Sequence, residues 1–409
     1  MRGGLAACAW GLALLATMAQ ADPGHDLFTG QNPSAADGRI GRFACHSCHG
    51  RDGRGGVEGD VPAIAGPDLG EATDQRPAYD LARFQAAVTA GIDPTGRGLS
   101  RIMPRYDLSK AEVSRLWFYL QDLPRRQAQG ITPDHVRFGV VIDPALPAWG
   151  ARYLDAVRGA LPSGTIHGRR VEVVALDDPV RQADTVVAAL AMPPHRDELT
   201  AQITATGLPV IFALTALGGN EDASIERSFV PTDREVNGAI VAHLATTTAR
   251  RIGISAGPAR IDALTFLIRS AIPDAVVVPL SADGDRPDAV IDLDGQVPGD
   301  LPPPAILYRL ASQARGRADA QRSFLVIEAP QLIALAVDEN LHPLEAHAAL
   351  AVRILVKVLT QAGRDLSRSR LLSAFGDTPL NGEHLDYARL PLNGSDHVAI
   401  LEDLNTPGR

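Results

Sequence analysis

Cysteine is nearly missing from this chain, with three in 409 residues. Cys8 lies in an apolar N-terminal run, which leaves Cys45 and Cys48 with no thiol elsewhere to pair with. A disulfide framework or a two-pair zinc ribbon needs more, so both are excluded. Positive charge is short as well. Lys and Arg number 39 against 48 Asp and Glu, for a net charge of -9, and no basic stripe offsets it, which excludes a nucleic-acid binder. No second long apolar run follows residues 5–18, so no membrane span is expected after them. Several catalytic signatures are missing too: there is no Walker loop, no His-Glu-x-x-His and no Gly-x-Gly-x-x-Gly after the first predicted strand. The chain therefore reads as a binding or electron-transfer protein rather than an enzyme. Hydrophobic content of 45% and charged content of 21% are those of globular domains, and the length suggests about two or three of them.

What is present begins with an export signal. Arg2 supplies a charged start, residues 5–18 an apolar core, and Ala19-Gln20-Ala21 a small-x-small cleavage site before Asp22. Residues 1–21 are expected to be removed, leaving a soluble periplasmic product. Then comes Cys45-His46-Ser47-Cys48-His49, two thiols three apart with a histidine after the second. On one helical turn such residues share a face, so both sulfurs reach the vinyl groups of one porphyrin while the next imidazole turns under its iron. This is the attachment pattern of a single covalent haem c, which is joined outside the bacterial cytoplasm, in agreement with the export signal. His46 reads as a solvent-facing spacer and His25 as a mobile N-terminal residue.

Helices are expected from Asp37 into the haem motif and over residues 79–90. A third follows the capping box Ser109-Lys110-Ala111-Glu112, with Val113, Leu116, Trp117, Leu120 and Leu123 at helical spacing. An electron carrier needs a sixth iron ligand, and a methionine thioether raises the potential. Met1 and Met18 leave with the signal and Met192 is remote, so Met103, in Ile102-Met103-Pro104, is the candidate. Arg42, Arg51, Arg54, Arg97, Arg101 and Arg105 flank these segments, either to steer an acidic partner or to meet the haem propionates. Attachment motif, Met-Pro loop and a final helix ending in Tyr119-Leu120 resemble class I cytochromes c. That resemblance implies a proline carbonyl accepting from the proximal histidine. Gly66-Pro67-Asp68-Leu69 matches the family's Gly-Pro-x-Leu, making Pro67 the candidate, with Pro62 in competition across the long glycine-rich loop of residues 50–65.

Residues 125–134 have no apolar period and read as a linker between a cytochrome c domain at 23–124 and a second domain at 135–409. Strand and helix signals then alternate, which predicts parallel sheets. Strands are expected at 136–142, 171–176, 185–192, 209–215, 251–255, 275–280, 288–293 and 324–328. Helices are expected at 149–161, 196–206, 235–246, 259–271 and 342–361. The rhythm restarts after Phe229-Val230-Pro231-Thr232-Asp233, so two α/β lobes are expected around a cleft. Val136-Arg137-Phe138-Gly139-Val140-Val141, Val173-Val174-Ala175-Leu176-Asp177-Asp178 and the Phe-x-Pro-Thr-Asp segment resemble type I periplasmic binding proteins, the group of branched-chain amino acid receptors. In that fold, ligands sit at the carboxyl ends of strands, and members that bind amino acids use small hydroxyl residues there. Thr215 occupies such a position, or serves as a turn hydroxyl, while Met192-Pro193-Pro194 stands where another hydroxyl belongs. Asp292 and Asp294 either face the cleft or end a strand. The histidines at 195, 243, 342, 347, 384 and 397 make no metal set.

The combined expectation is two-domain, an all-α cytochrome c domain followed by a two-lobed α/β domain. Its haem, held by Cys45 and Cys48 and ligated by His49 and Met103, transfers electrons to a periplasmic redox partner such as a dehydrogenase, while the second domain binds a small organic ligand or docks a partner. The alternative is a periplasmic solute receptor whose haem senses redox state or a gas.

Overall fold

The computed structural model describes residues 22–30, 44–56, 59–191, 199, 202–203, 205–214, 225–280, 286–297, 304–312, 314, 320–380, 382 and 384–403. The chain divides into two compact units, residues 1–122 and 123–409.

The first unit is helical. Its elements are α1 (Pro23–Thr29), α2 (Cys45–His49), α3 (Gly66–Gly70), α4 (Leu81–Gln85) and α5 (Lys110–Gln127). The expected capping box forms at the start of α5: the Glu112 amide donates to Ser109 Oγ at 3.3 Å and the Ser109 amide to Glu112 Oε2 at 2.8 Å. Val113, Leu116 and Leu120 then face inward and are almost fully buried, the heptad-like face that a core helix needs. Trp117 packs on Phe84 of α4, ring centroids 5.2 Å apart. Helix α4 begins at Asp80, whose carboxylate accepts from the Arg83 amide. It then runs into a wider π turn over Ala86–Ala90 that ends at Gly91. The helix expected from Asp37 falls on residues 37–43, outside the described residues, up to Ala44.

Two minor expectations fail. His25 lies on α1, edge-on to Tyr119 at 5.9 Å, and is held by packing rather than loose. His46 is not a solvent-facing spacer: its Nδ1 lies 3.4 Å from the Phe28 carbonyl and its ring against the Phe28 ring. The buried Phe28 packs on His46 and on Tyr119, the ring that meets His25.

The segment read as a linker is structured. Leu123 is fully buried, and α5 continues through Pro124 to Gln127. The Arg137 amide then donates to the Gly130 carbonyl at 2.8 Å, and Ile131 bridges to Val136, so the chain turns directly into the first strand.

The second unit holds two sheets. The first contains β1 (His135–Val141), β2 (Arg170–Leu176), β3 (Ala189–Leu190), β4 (Val210–Ile211) and β5 (Glu226–Arg227), in the order β2-β1-β3-β4-β5, all parallel. Helix α6 (Pro147–Ala160) covers it. After Phe229–Thr232 the chain enters α7 (Asp233–Ala245), where Thr232 and Glu235 form a second capping box. The other sheet follows: β6 (Arg251–Ser255), α8 (Pro258–Ala271), β7 (Val276–Val278), β8 (Ala289–Asp292), β9 (Ile306–Leu310) and β10 (Arg322–Ile327). The chain returns through α9 (Pro330–Asp338), α10 (Pro343–Ala362) and α11 (Arg368–Asp377), then ends in β11 (Ala399–Glu402). The second sheet runs β11-β10-β9-β8-β6-β7, with β11 antiparallel on its edge.

Each sheet has its own core. Val136, Phe138 and Val140 of β1 share one with Tyr153 and Val157 of α6 and with Leu350, Ile354, Leu355 and Val358 of α10. Ile252, Ile291, Tyr308 and Val326 share another with Val236, Ile240 and Leu244 of α7. The chain therefore crosses between the lobes three times, before α7, before α9 and before β11. The expected two-lobed parallel architecture is present, with strands β3 and β4 shorter than expected. Ala191 and Phe212, directly after them, have φ of 51° and 62°, a left-handed backbone that ends the ladder.

Candidate functional site

Helix α2 is a single turn, so Cys45 and Cys48 lie on one side of it, both half-buried free thiols. Burial pushes the Cys45 thiol up to about 11, which keeps it protonated before attachment; once joined to a vinyl carbon, the sulfur is a thioether and no longer titrates. His49, at the end of the turn, is buried. Its Nδ1–H donates to the Pro62 carbonyl at 2.8 Å. Burial also lowers its pKa, against the opposing pull of that carbonyl, so the ring stays neutral and Nε2 keeps a free lone pair. A ligating imidazole needs this tautomer.

Pro67 does not serve as the acceptor. Its carbonyl accepts from the Glu71 amide at 3.0 Å inside α3, so the helix uses the oxygen that the resemblance assigns to histidine. Pro62 reaches His49 because the glycine-rich loop doubles back. The Gly55 amide donates to the His49 carbonyl at 2.8 Å, and the Ile64 amide to the Gly53 carbonyl at 2.7 Å. At Gly55, with φ of 76°, a Cβ would lie 2.2 Å from the Val61 carbonyl oxygen, so a side chain would force Val61 and Pro62 away.

Met103 is half-buried and is the methionine present among the described residues. Its loop returns toward α2: the Tyr106 side chain is hydrogen-bonded with the Cys45 thiol, and the Tyr106 amide donates to the Val88 carbonyl at 2.9 Å. The attachment turn and the methionine loop are thus joined through Tyr106, a residue that sequence reasoning passed over. Two thiols on one turn, a histidine with one ring nitrogen engaged and the other free, and a thioether on an adjoining loop fit a covalent haem. The segment 24–124 matches the family model Cytochrome c. Residues 24–124 form a cytochrome c domain. Its cofactor is covalently attached haem c, and Cys45 and Cys48 stand at the positions of the attachment motif.

The arginines around the cytochrome c domain's two segments divide by what they touch. Arg97 pairs with Asp93 at 3.2 Å and Arg54 with Asp52 at 3.9 Å, so both are partly neutralised locally. Arg105 turns back onto its own loop, where its guanidinium donates to the Met103, Leu99 and Ser100 carbonyls. Arg42 lies outside the described residues.

In the second domain, Thr215 and Met192 also lie outside the described residues, as does most of the helix expected at 196–206. Asp292 and Asp294 end a strand: Asp292 Oδ1 accepts from the Gly295 amide at 2.9 Å, and Asp294 Oδ1 accepts from the Gln296 amide at 3.1 Å and from the Ser255 hydroxyl. Burial raises the Asp292 pKa against those backbone bonds. His347 is buried on α10, its Nδ1 2.9 Å from the Tyr153 hydroxyl and its ring 4.5 Å from Phe229. Among the described residues, no helix is long and apolar enough to cross a membrane.

No curated protein matches this sequence. Among solved structures, the substrate-binding periplasmic protein from Ralstonia solanacearum is similar at 15% identity, covering 65% of this chain and 97% of its own, with a TM-score of 0.45. A possible leucine/isoleucine/valine-binding protein from Rhodopirellula baltica shares 14% identity over 66% of this chain and 94% of its own, at 0.46. An extracellular ligand-binding receptor from Verminephrobacter eiseniae shares 14% over 65% and 97%, also at 0.46.

Proposed function

We propose that the chain is an exported electron-transfer protein whose haem c is ligated by His49 and Met103. The single observation that carries this reading is the donation of the His49 Nδ1–H to Pro62 at 2.8 Å, which leaves the other ring nitrogen with the lone pair that a metal needs. The Tyr106–Cys45 hydrogen bond adds a reason for Met103, since it brings the methionine loop to the attachment turn. Haem iron with a histidine and a thioether shuttles one electron between ferric and ferrous states and binds external gases poorly. Of the chain's own residues, Pro62 holds the histidine tautomer and the loop of Met103 would present the thioether.

The second domain supports a binding role. Two parallel sheets joined by three crossings leave the carboxyl ends of β1, β3, β4, β6 and β8 as the edge where α/β sheets take ligands. A small organic molecule is the ligand class this reading expects at that edge, and occupancy there would couple the cytochrome to a periplasmic redox partner, a dehydrogenase being the class expected.

Optical spectra of the full chain test the haem reading. Low-spin ferric iron with the weak long-wavelength band of sulfur ligation is expected, together with slow carbon monoxide binding after reduction. High-spin ferric iron with fast carbon monoxide binding would replace it with the gas-sensing alternative. A pull-down from periplasmic extract under oxidising and reducing conditions tests the partner: a protein retained in only one redox state is the expected result.

A further inference from the structure

We propose that Arg105 is a positioning residue whose guanidinium clamps the loop that carries Met103, and so governs how firmly the thioether stays on the iron. The inference rests on the Met103 ligation proposed above and extends it to the residue that enforces it.

The loop from Leu99 to Met103 has few regular backbone bonds of its own. The Leu99 amide donates to the Gly91 carbonyl at 2.7 Å, and the Met103 amide to the Ser100 carbonyl at 3.2 Å. Three of the loop's carbonyls converge on one side chain. Arg105 Nη1 donates to the Met103 carbonyl, while Nη2 donates to Leu99 at 3.1 Å and Ser100 at 3.3 Å. Both ends of the loop are thus held by a single planar group. A guanidinium presents its donors in a fixed fork, which a lysine ammonium cannot imitate.

The seat for that fork is built into α4's end. At Gly91, φ is 69°, and a Cβ there would lie 1.8 Å from Arg105 Nε and 2.0 Å from Cζ. Gly91 is therefore required twice, for its left-handed backbone and for the space the guanidinium occupies. The same stretch receives the loop's exit, where the Tyr106 amide meets the Val88 carbonyl. Arg105 is exposed, so its effect comes from geometry rather than from a buried charge.

Three variants of the full holoprotein test the clamp: Arg105→Gln, Arg105→Lys and Gly91→Ala, with exposed Lys110→Gln as control. Imidazole is titrated into the ferric protein and the loss of the sulfur-ligation band followed; thermal unfolding is measured alongside. Imidazole is expected to displace the thioether about tenfold more readily in all three, the factor associated with losing roughly one net charge-assisted hydrogen bond. The control should match wild type. Arg105→Lys and Gly91→Ala each keep the positive charge, so their agreement with Arg105→Gln separates the fork from simple electrostatics. Wild-type imidazole affinity in Arg105→Lys and Gly91→Ala would overturn the clamp, as would a lowered unfolding temperature with an unaltered band. A wild-type protein with no sulfur-ligation band would instead overturn Met103 ligation, and the clamp with it.

Discussion

His49 and Pro62 are joined by a 2.8 Å hydrogen bond, Nδ1–H to carbonyl, across a loop that turns through a left-handed Gly55. The bond makes the imidazole a stronger electron donor, which favours ferric iron. Gly55→Ala places a Cβ against the Val61 carbonyl and should loosen this contact, raising the reduction potential. A tenfold loss of that preference corresponds to about 59 mV for one electron, so a rise of up to roughly that size is expected in a spectroelectrochemical titration. Gly59→Ala is the matched control, since Gly59 also has a positive φ but open space around it. A potential that stays the same in Gly55→Ala, or falls, contradicts the assignment.

Asp93 organises the turn ahead of the methionine loop. Its carboxylate accepts from the Thr95 hydroxyl at 2.6 Å and from the Thr95 and Arg97 amides at 2.8 and 2.9 Å. These bonds, led by the Thr95 hydroxyl, hold its pKa down to about 2 from 3.8. A depressed carboxylate contributes stability that is fully present above the unfolded value and is lost as pH falls through the folded one. Asp93→Asn should therefore lower the denaturant midpoint of the cytochrome domain at pH 7. The gap to wild type should close between about pH 4 and pH 2. A gap that persists unchanged at pH 2 would show that the charge is irrelevant to the turn.

How much of this was legible in the sequence depends on which residues carry the signal. Cys45, Cys48 and His49 announce a haem because their spacing is itself the chemistry, and Ser109 with Glu112 announces α5 through a local capping pattern. Pro67 misled because a matching tetrapeptide says nothing of where its carbonyl points, and α3 had already claimed it. Tyr106 and Arg105 act through contacts that loop closure creates, which no local spacing encodes. In the second domain, β6 at Arg251–Ser255 was readable from its short apolar run. Strand β9 was not, because Arg309 interrupts the run Ile306-Leu307-Tyr308-Arg309-Leu310. Strand β5 is the polar pair Glu226–Arg227, buried nonetheless, and carries no strand pattern. Strands β3 and β4 stop early because Ala191 and Phe212 turn left-handed, a conformation their identities do not suggest.

The Arg309 that hid β9 is also where the second sheet's edge is fastened. Arg309 Nη2 lies 3.1 Å from Asp403 Oδ2, both side chains only 10% exposed, and the Asp403 amide donates to the Ser323 carbonyl at 2.7 Å. Removing one member of a buried pair leaves the other charge without compensation, at a cost of about 3–5 kcal/mol. Asp403→Ala should accordingly destabilise the α/β unit by about 3 kcal/mol and increase hydrogen exchange in β11 and β9. Arg309→Met with Asp403→Leu removes both charges and should recover most of that loss. If the double variant is as unstable as the single one, the pairing is not the cause.

Acid should act on the first lobe through His347. The ring is enclosed by Tyr153 and Phe229 and faces the Ala213 backbone; burial drives its pKa down to about 3 from 6.5, with the Ala213 contact opposing. The native state therefore holds a neutral imidazole, and the unfolded state binds the proton first. Stability is full above pH 6.5 and declines as pH falls toward 3, with a slope approaching about 1.4 kcal/mol per pH unit for one proton. Trp149 stacks on Tyr153 at 5.7 Å and gives a local fluorescence report, read in a Trp117→Phe background. Denaturant unfolding followed by Trp149 should weaken steadily from pH 6.5 to pH 5, where ordinary carboxylates are still ionised. His347→Gln, whatever its stability at pH 7, should show a much flatter pH dependence over that interval, because the proton-binding difference between its states is gone. Equal slopes in the two proteins would mean that the ring titrates as freely in the folded lobe as outside it.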